Sequence, residues 1–408
     1  MKQPTPPWLV PVITIFTLQT LASFMSRVIP VAAPAMAVEY GWDSSTIGYL
    51  NASNSLGGAL ILVLGAAVIR RLGGTRSLQI ALVAGALSLA LFFYSNLAVV
   101  LVACFIMGTS PGAANPAGSE VLQRFSPPGM RNLLFSIKQA GVPLGGMIAG
   151  LLLPFIITLS SWRFALIACT VIVLIPTLLS WRLSEQLDNR PQNRGPNRFS
   201  LRDSLMRCKE PLVSITHNRS LLRISIVGAL FAIPQSCWFT FTAVYLVDRL
   251  DYSLSQAGLV FAVMQLGGVL GRVLLGWLSD HLNSARFTLS FAALFSALTT
   301  ALFGLTSPAW PLWTVIVLAF VAGCTAASWN GVQIAETARH SPAHLITETA
   351  SGASLLVSAV NVVSPTLFAL CVATTGRYDI PFILAGTGAL LVLLVLPKEP
   401  AGRSTSST

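Results

Sequence analysis

Residues Gln265–Arg286 read QLGGVLGRVLLGWLSDHLNSAR. The stretch starts as an apolar run with glycines at 267, 268, 271 and 276. It carries one arginine, Arg272, inside that run, and ends in a polar turn with Asp280, His281 and Arg286. A charge set within about twenty membrane-grade residues is costly and is kept for a task. A weaker twin lies 210 residues earlier: Leu56-Gly57-Gly58 matches Leu266-Gly267-Gly268, Gly48 matches Gly258, and Arg76 matches Arg286. At an offset of 215, Gly108 meets Gly323, Asn115 meets Asn330, Arg124 meets Arg339, and Ser126-Pro127 meets Ser341-Pro342. The chain reads as a duplication, with Leu62 standing where the second copy has Arg272.

The same apolar character runs from end to end. Of 408 residues 54% are hydrophobic and only 10% charged, where a soluble domain carries about 25% charge; the mean hydropathy is +0.73. Runs of about twenty apolar residues recur, each long enough for a bilayer. Helices are predicted at 8–37, 44–69, 77–95, 97–124, 131–157, 162–182, 222–249, 254–279, 284–305, 309–339, 344–374 and 378–397. This predicts an all-α integral membrane protein of twelve transmembrane helices in two pseudo-symmetric six-helix halves. A β-barrel is excluded, because its strands would alternate over about ten residues. The expected organisation is an N-terminal bundle at 1–182, a basic linker at 183–220 and a C-terminal bundle at 221–408 with a short tail. Within the linker a short helix capped by Ser200 is expected.

The net charge of +11 is a matter of topology rather than of nucleic-acid binding. Arg70, Arg71, Arg76, Arg124, Arg131, Arg286, Arg339 and the linker arginines fall on one side of a twelve-span map, and the other side holds Arg163, Arg249 and Arg377. The positive-inside rule places the linker and both termini in the cytoplasm of a bacterial-type inner membrane. The six scattered cysteines show no metal or disulfide spacing. Ala35-Met36-Ala37 imitates a signal-peptidase site, but the preceding run is too long and holds Arg27, so it reads as an uncleaved first helix. Neither HExxH nor GxSxG occurs, and His217, His281, His340 and His344 fall at or outside helix ends, so neither an enzyme nor a metal or cofactor site is indicated.

Three cations sit inside predicted helices: Arg27, Lys138 and Arg272. At 1.5 Å per residue Lys138 lies roughly 10 Å, and Arg272 roughly 12 Å, from the basic side. No acid is placed as deeply; Glu120, Glu336 and Glu348 lie near helix ends. Unpaired charges in a low-dielectric interior need partners, and an anionic substrate is the simplest. A guanidinium fork suits a carboxylate through two parallel hydrogen bonds. Gln139, Gln265, Asn115, Asn330, Asn361, Trp238 and Trp329 are the candidates to complete the pocket, with helix–helix glue as the competing role for the amides. Glycines 141, 145, 146 and 150 read first as close-packing positions.

Gly276-Trp-Leu-Ser-Asp280-His-Leu-Asn-Ser-Ala-Arg286 resembles the loop motif between helices 8 and 9 of the major facilitator superfamily, and Ala66 through Arg76 is a degenerate first-half copy with Arg70 in place of the usual aspartate. The resemblance implies that fold, alternating access, and a gating role for Arg70, Arg71, Arg76, Gly276, Asp280 and Arg286. Arg272 is similar to the helix 8 arginine of oxalate–formate and monocarboxylate carriers. Ser136–Gly146 resembles helix 5 of cyanate-permease-like members. Helix 1, with Arg27 ahead of Pro30 and Pro34, resembles the anion:cation symporters. Those carry acids in helices 1 and 4, where this chain has Ser26 beside Arg27 and Ala113-Ala114. The implied function is secondary transport of a small organic anion, with a coupling proton or a counter-anion as the further partner. Glu120 and Glu336 are the candidates for proton coupling, and exchange or uniport ranks ahead of symport. The lipid bilayer is the other partner, and a monomer is expected. Multidrug efflux and inorganic-anion (nitrate- or cyanate-like) permeation are the alternatives.

Overall fold

The computed structural model describes residues 6–43, 45–127, 130–188, 209–216, 218–342 and 345–397. The first half contains α1 (Leu9–Tyr40), α2 (Thr46–Leu72), α3 (Gly74–Ser88, continued by a 3-10 turn Leu89–Phe93), α4 (Leu97–Phe125), α5 (Arg131–Leu159) and α6 (Trp162–Leu179). The second contains α7 (Arg219–Leu250), α8 (Leu254–His281), α9 (Ala285–Gly304), α10 (Leu312–Ala326 and, after a break, Asn330–His340), α11 (Ile346–Thr375) and α12 (Asp379–Leu390, continued by Val392–Val395). Eleven of these are long and apolar enough to cross a membrane, and Asp379–Val395 is a shorter apolar helix. The predicted fold class and helix order hold.

The duplicated glycines explain why the two halves share an architecture. A Cβ on Gly57 of α2 would fall 1.9 Å from the Phe105 carbonyl oxygen of α4, and one on Gly108 of α4 would fall 1.8 Å from that of Asn54. Their partners repeat the crossing in the second half, with Gly267 2.3 Å from the Phe320 oxygen and Gly323 2.0 Å from that of Met264. Bare backbone at both positions lets each helix pair touch main chain to main chain.

The ends of the bundle differ. One, the linker face, carries the turns near Gly73, Ser126, Asn283 and Ser341; the opposite, far face carries those near Gly41, Ser160, Asp251 and Gly376. The halves meet through α5 on α8, α2 on α11 and α1 on α7. Toward the far face this seam is tight: Gly48 lies against Pro365, Ala369 and Phe241, and Gly150 and Gly258 face each other's backbone. Toward the linker face Gly276 and Gly331 have open space around them. At these glycines the two halves pack backbone to backbone near the far face.

Details depart from the sequence expectation. α10 is not continuous, because Ala327–Trp329 form turns at its middle. α12 is broken after Leu390, and α1 runs three residues further than expected, to a C-cap at Gly41 with φ 64°. The segment following α6 opens with a helical turn, Leu183–Leu187, and a second short helix spans Lys209–Ser214; Ser200 lies outside the described residues. The sequence also hides a tie between the end of α6 and the α2–α3 corner. Asp188 accepts hydrogen bonds from the backbone of Thr75 (3.0 Å) and Arg76 (2.8 Å), Glu120 accepts one from Gly74 (3.0 Å), and Gly73 turns the corner at φ 92°. Two carboxylates thus satisfy three donors at the α3 N-terminus, where helix ends leave amides unpaired and favour negative charge.

Candidate functional site

Three helices carry the interior arginines and the partner of one of them. α1 carries Arg27, and its guanidinium stacks 3.9 Å from the ring centroid of Phe239 on α7. α8 carries Arg272, whose Nη1 donates to the main-chain oxygen of Gln139 on α5 at 3.0 Å. Both side chains, with Gln139 and Phe239, are partly exposed rather than fully buried. Arg27 Nε, Arg272 Nε and Gln139 Oε1 are buried with no hydrogen-bond partner among the described residues. Buried polar atoms are rarely left so. Two donors and one acceptor are thus left without a protein partner among the described residues.

Lys138 is disposed differently from the arginines. Its side chain is 2% exposed, and its ammonium donates to the carbonyl (3.2 Å) and Oδ1 (3.2 Å) of Asn115 and to Ser119 Oγ (3.3 Å), all on α4. Gly118 makes room for it, since a Cβ there would meet Lys138 Cε at 2.8 Å. Asn115, in mid-helix, is itself exposed. Lys138 therefore adds positive field behind Asn115.

The remaining candidates divide by position. Gln265 is buried against Gly146 at the α5–α8 seam. Asn330 accepts from Gln235 at 3.4 Å, beside the α10 break. Asn361 is half-buried on α11. Trp238 stacks on Phe303 at 4.0 Å and donates to Thr300 at 3.0 Å, which ties α7 to α9 inside the second half. Trp329 stacks on Phe231 at 5.4 Å, and its Nε1 is buried without a partner. Phe239, which contacts an interior arginine, was missed; aromatic residues are too frequent in membrane helices for sequence to single it out.

The loop motif lies at the linker face. Asp280, Arg286 and Arg71 are exposed, Arg76 stacks 4.3 Å from the Trp181 ring, and the Arg70 side chain lies outside the described ones. Glu120 also pairs with Arg124 (3.4 Å), and Glu336 pairs with Arg339 (3.3 Å) and His340 (3.6 Å). At the far face a pocket of about 160 Å³ lies between the ends of α1, α2 and α7, lined mainly by apolar side chains with Asp43 and Asp248. Hydrogen bonds from the Ser45 side chain and backbone hold the Asp43 carboxyl below its ordinary range.

Among the described residues, eleven helices long and apolar enough to cross a membrane and one shorter apolar helix, in two glycine-paired halves, define a multi-pass membrane protein. The chain belongs to the Major Facilitator Superfamily, whose model matches residues 15–365. An uncharacterised MFS-type transporter of Mycobacterium tuberculosis (strain CDC 1551 / Oshkosh) is 25% identical over 74% of this chain; the match spans 65% of that relative's length, a little under two thirds. The hexuronate transporter of Bacillus subtilis (strain 168) is 23% identical, with 96% of both chains covered. A probable sulfoacetate transporter of Cupriavidus necator is 24% identical, covering 95% of this chain and 93% of the relative. Among solved structures, a POT family transporter in complex with 5-aminolevulinic acid superposes with a TM-score of 0.77 at 14% identity, covering 96% and 95% of the two chains. At that identity the likeness speaks to the fold alone.

Proposed function

We propose that this protein moves a small organic anion, a carboxylate, across the inner membrane by alternating access between its two bundles, residues 1–182 and 221–408, joined by the linker 183–220. The observation that carries the reading is that Arg27 and Arg272, one on each half and inside membrane helices, keep buried Nε donors with no partner among the described residues; in this reading they border a central cavity. Relatives named for hexuronate and sulfoacetate, both organic anions, support the substrate class. In this reading Arg272 receives the carboxylate, Arg27 neutralises it from the opposite half, Gln139 contacts its polar body, and Lys138 with Asn115 adds field. Gln265, Asn330 and Asn361 line the remaining path. With the basic linker in the cytoplasm, the closed far face is external and the cavity opens inward.

The test is a melting panel on purified protein with glucuronate, sulfoacetate, benzoate, nitrate and tetraphenylphosphonium. A compound at a hundred times its dissociation constant stabilises by about 2.7 kcal/mol, which raises the Tm by several degrees. At least one organic anion should do so, and neither nitrate nor the cation should. A shift with the cation alone, or with nitrate alone, refutes the reading.

A further inference from the structure

The far-face pocket shares no lining residue with the candidate anion site. It lies between the ends of α1, α2 and α7, so its wall comes from both halves. Its volume is about 160 Å³. A cavity of about 150 Å³ lined by aliphatic and aromatic side chains holds one benzene molecule. Pro34, Ile47, Leu50, Val244 and Val247 supply such a lining here, and Ile47, Leu50 and Val244 are buried. One residue on from Ile47, Gly48 packs against Pro365 and Phe241 of the second half, which fixes the two sides of the pocket relative to each other.

The polar part of the wall is acidic. Asp43 comes from the α1–α2 turn of the first half and Asp248 from the last turn of α7 in the second. Both are exposed, so they stand where the pocket meets water. Neutral donors orient them: the Ser45 amide donates to Asp43 at 2.7 Å, and the Tyr378 hydroxyl donates to Asp248 at 3.3 Å. Among the described residues no basic side chain lines the pocket. The arginines of this face have contacts of their own: Arg163 pairs with Glu39, Arg377 Nε donates to Asp379 at 3.0 Å, and Arg249 lies 5.7 Å from the centroid of the Tyr378 ring. Trp42 adds an indole to the pocket wall, the ring whose face attracts cations best.

An apolar wall of one-ring size with two carboxylates and an indole selects one ligand chemistry. An anion meets repulsion there, and a neutral hydrocarbon leaves the carboxylates without a counter-charge. An ammonium on a ring-sized apolar body satisfies both parts of the wall. We propose that this pocket is a second binding site, separate from the anion site, that takes an arylalkylammonium ion, with its ring between α1, α2 and α7 and its ammonium between Asp43 and Asp248. Such an occupant touches both halves. It therefore favours the packing seen here over one in which α7 has moved away from α1 and α2. Tetraphenylphosphonium carries four rings and exceeds the pocket, so its effect on the Tm bears on the anion site alone. The proposal stands or falls independently of that site.

The experiment is titration calorimetry on the purified full chain at neutral pH with 2-phenylethylamine, which is then protonated, beside 2-phenylethanol, its neutral counterpart. The amine should bind saturably at one site, and the alcohol at least about tenfold more weakly. Both carboxylates are exposed, and a solvent-exposed ion pair is worth at most about fivefold in affinity. Asp43→Asn and Asp248→Asn should each weaken the amine about that much, and the double variant about twenty-five-fold. Ala37, partly exposed, also lines the pocket. Ala37→Leu fills the space for the ring while keeping both charges, and should abolish binding. If Ala37→Leu does not fold, the alcohol and the asparagine variants decide. Absence of saturable amine binding, equal binding of the alcohol, or parental affinity in a cooperatively melting double variant overturns the site. A loss at one carboxylate alone overturns its bridging of the two halves.

Discussion

At the scale of single residues, the arginines and the lysine separate into two roles. Arg272 spends one Nη on Gln139 and keeps Nε free. A lysine at 272 would keep the charge but lose the fork that grips a carboxylate. Losing a buried charged contact costs about 2–5 kcal/mol, so Arg272→Lys should weaken binding of the stabilising anion about thirtyfold or more while the protein melts cooperatively. Retained affinity, read by titration calorimetry, counts against the contact. Lys138, saturated by Asn115 and Ser119, acts at a distance, so Lys138→Met should weaken binding only a few-fold. An effect as large as that at Arg272 would mean that Lys138 touches the anion. All three cations were legible in the sequence, since charge in an apolar run stands out. Which of them faces the cavity was not, because that depends on rotation about the helix axis and on Gly118, which makes room for the lysine on α4.

At the scale of helices, glycines decide where backbones meet. A Cβ on Gly258 would sit 2.2 Å from the carbonyl oxygen of Gly150 across the far-face seam. Gly258→Leu therefore holds the seam apart and should shift the protein toward a conformation open at the far face. Electron–electron resonance between spin labels at Leu159→Cys and Ser255→Cys, both exposed, should report a longer distance. An unchanged distribution in a folded variant argues that α5 and α8 close by another route. The Asp188 cap predicts a smaller effect: Asp188→Ala releases two amides of α3 and should lower stability by about 1 kcal/mol, read as a drop in Tm. The paired crossings of α2 on α4 and α8 on α10 were foreshadowed by the 210 and 215 offsets, which recorded a repeated packing requirement. The α10 break at Ala327–Trp329 and the Asp188 cap were not. The first, just before Asn330-Gly331, lies in a long run whose apolar character reads as one helix, and the second joins residues more than a hundred positions apart.

At the scale of the whole molecule, closure at one face and charge in the cavity make a joint statement about access. Asn115 is exposed in mid-helix beside the Lys138 ammonium, while the far-face seam is sealed by Gly48 on Pro365 and Gly150 on Gly258. On the orientation proposed above, Asn115 should be reached by water from inside the cell. Asn115→Cys in a background without native cysteines should then react with a membrane-impermeant maleimide in inside-out vesicles and resist it in right-side-out vesicles. Supplying the stabilising anion on both sides should make the cysteine reactive from outside as well, since the loaded carrier turns over. Equal labelling from both sides without anion would mean that the empty protein alternates freely. Labelling from outside alone would reverse the orientation argued from the arginine distribution and place the basic linker outside the cell.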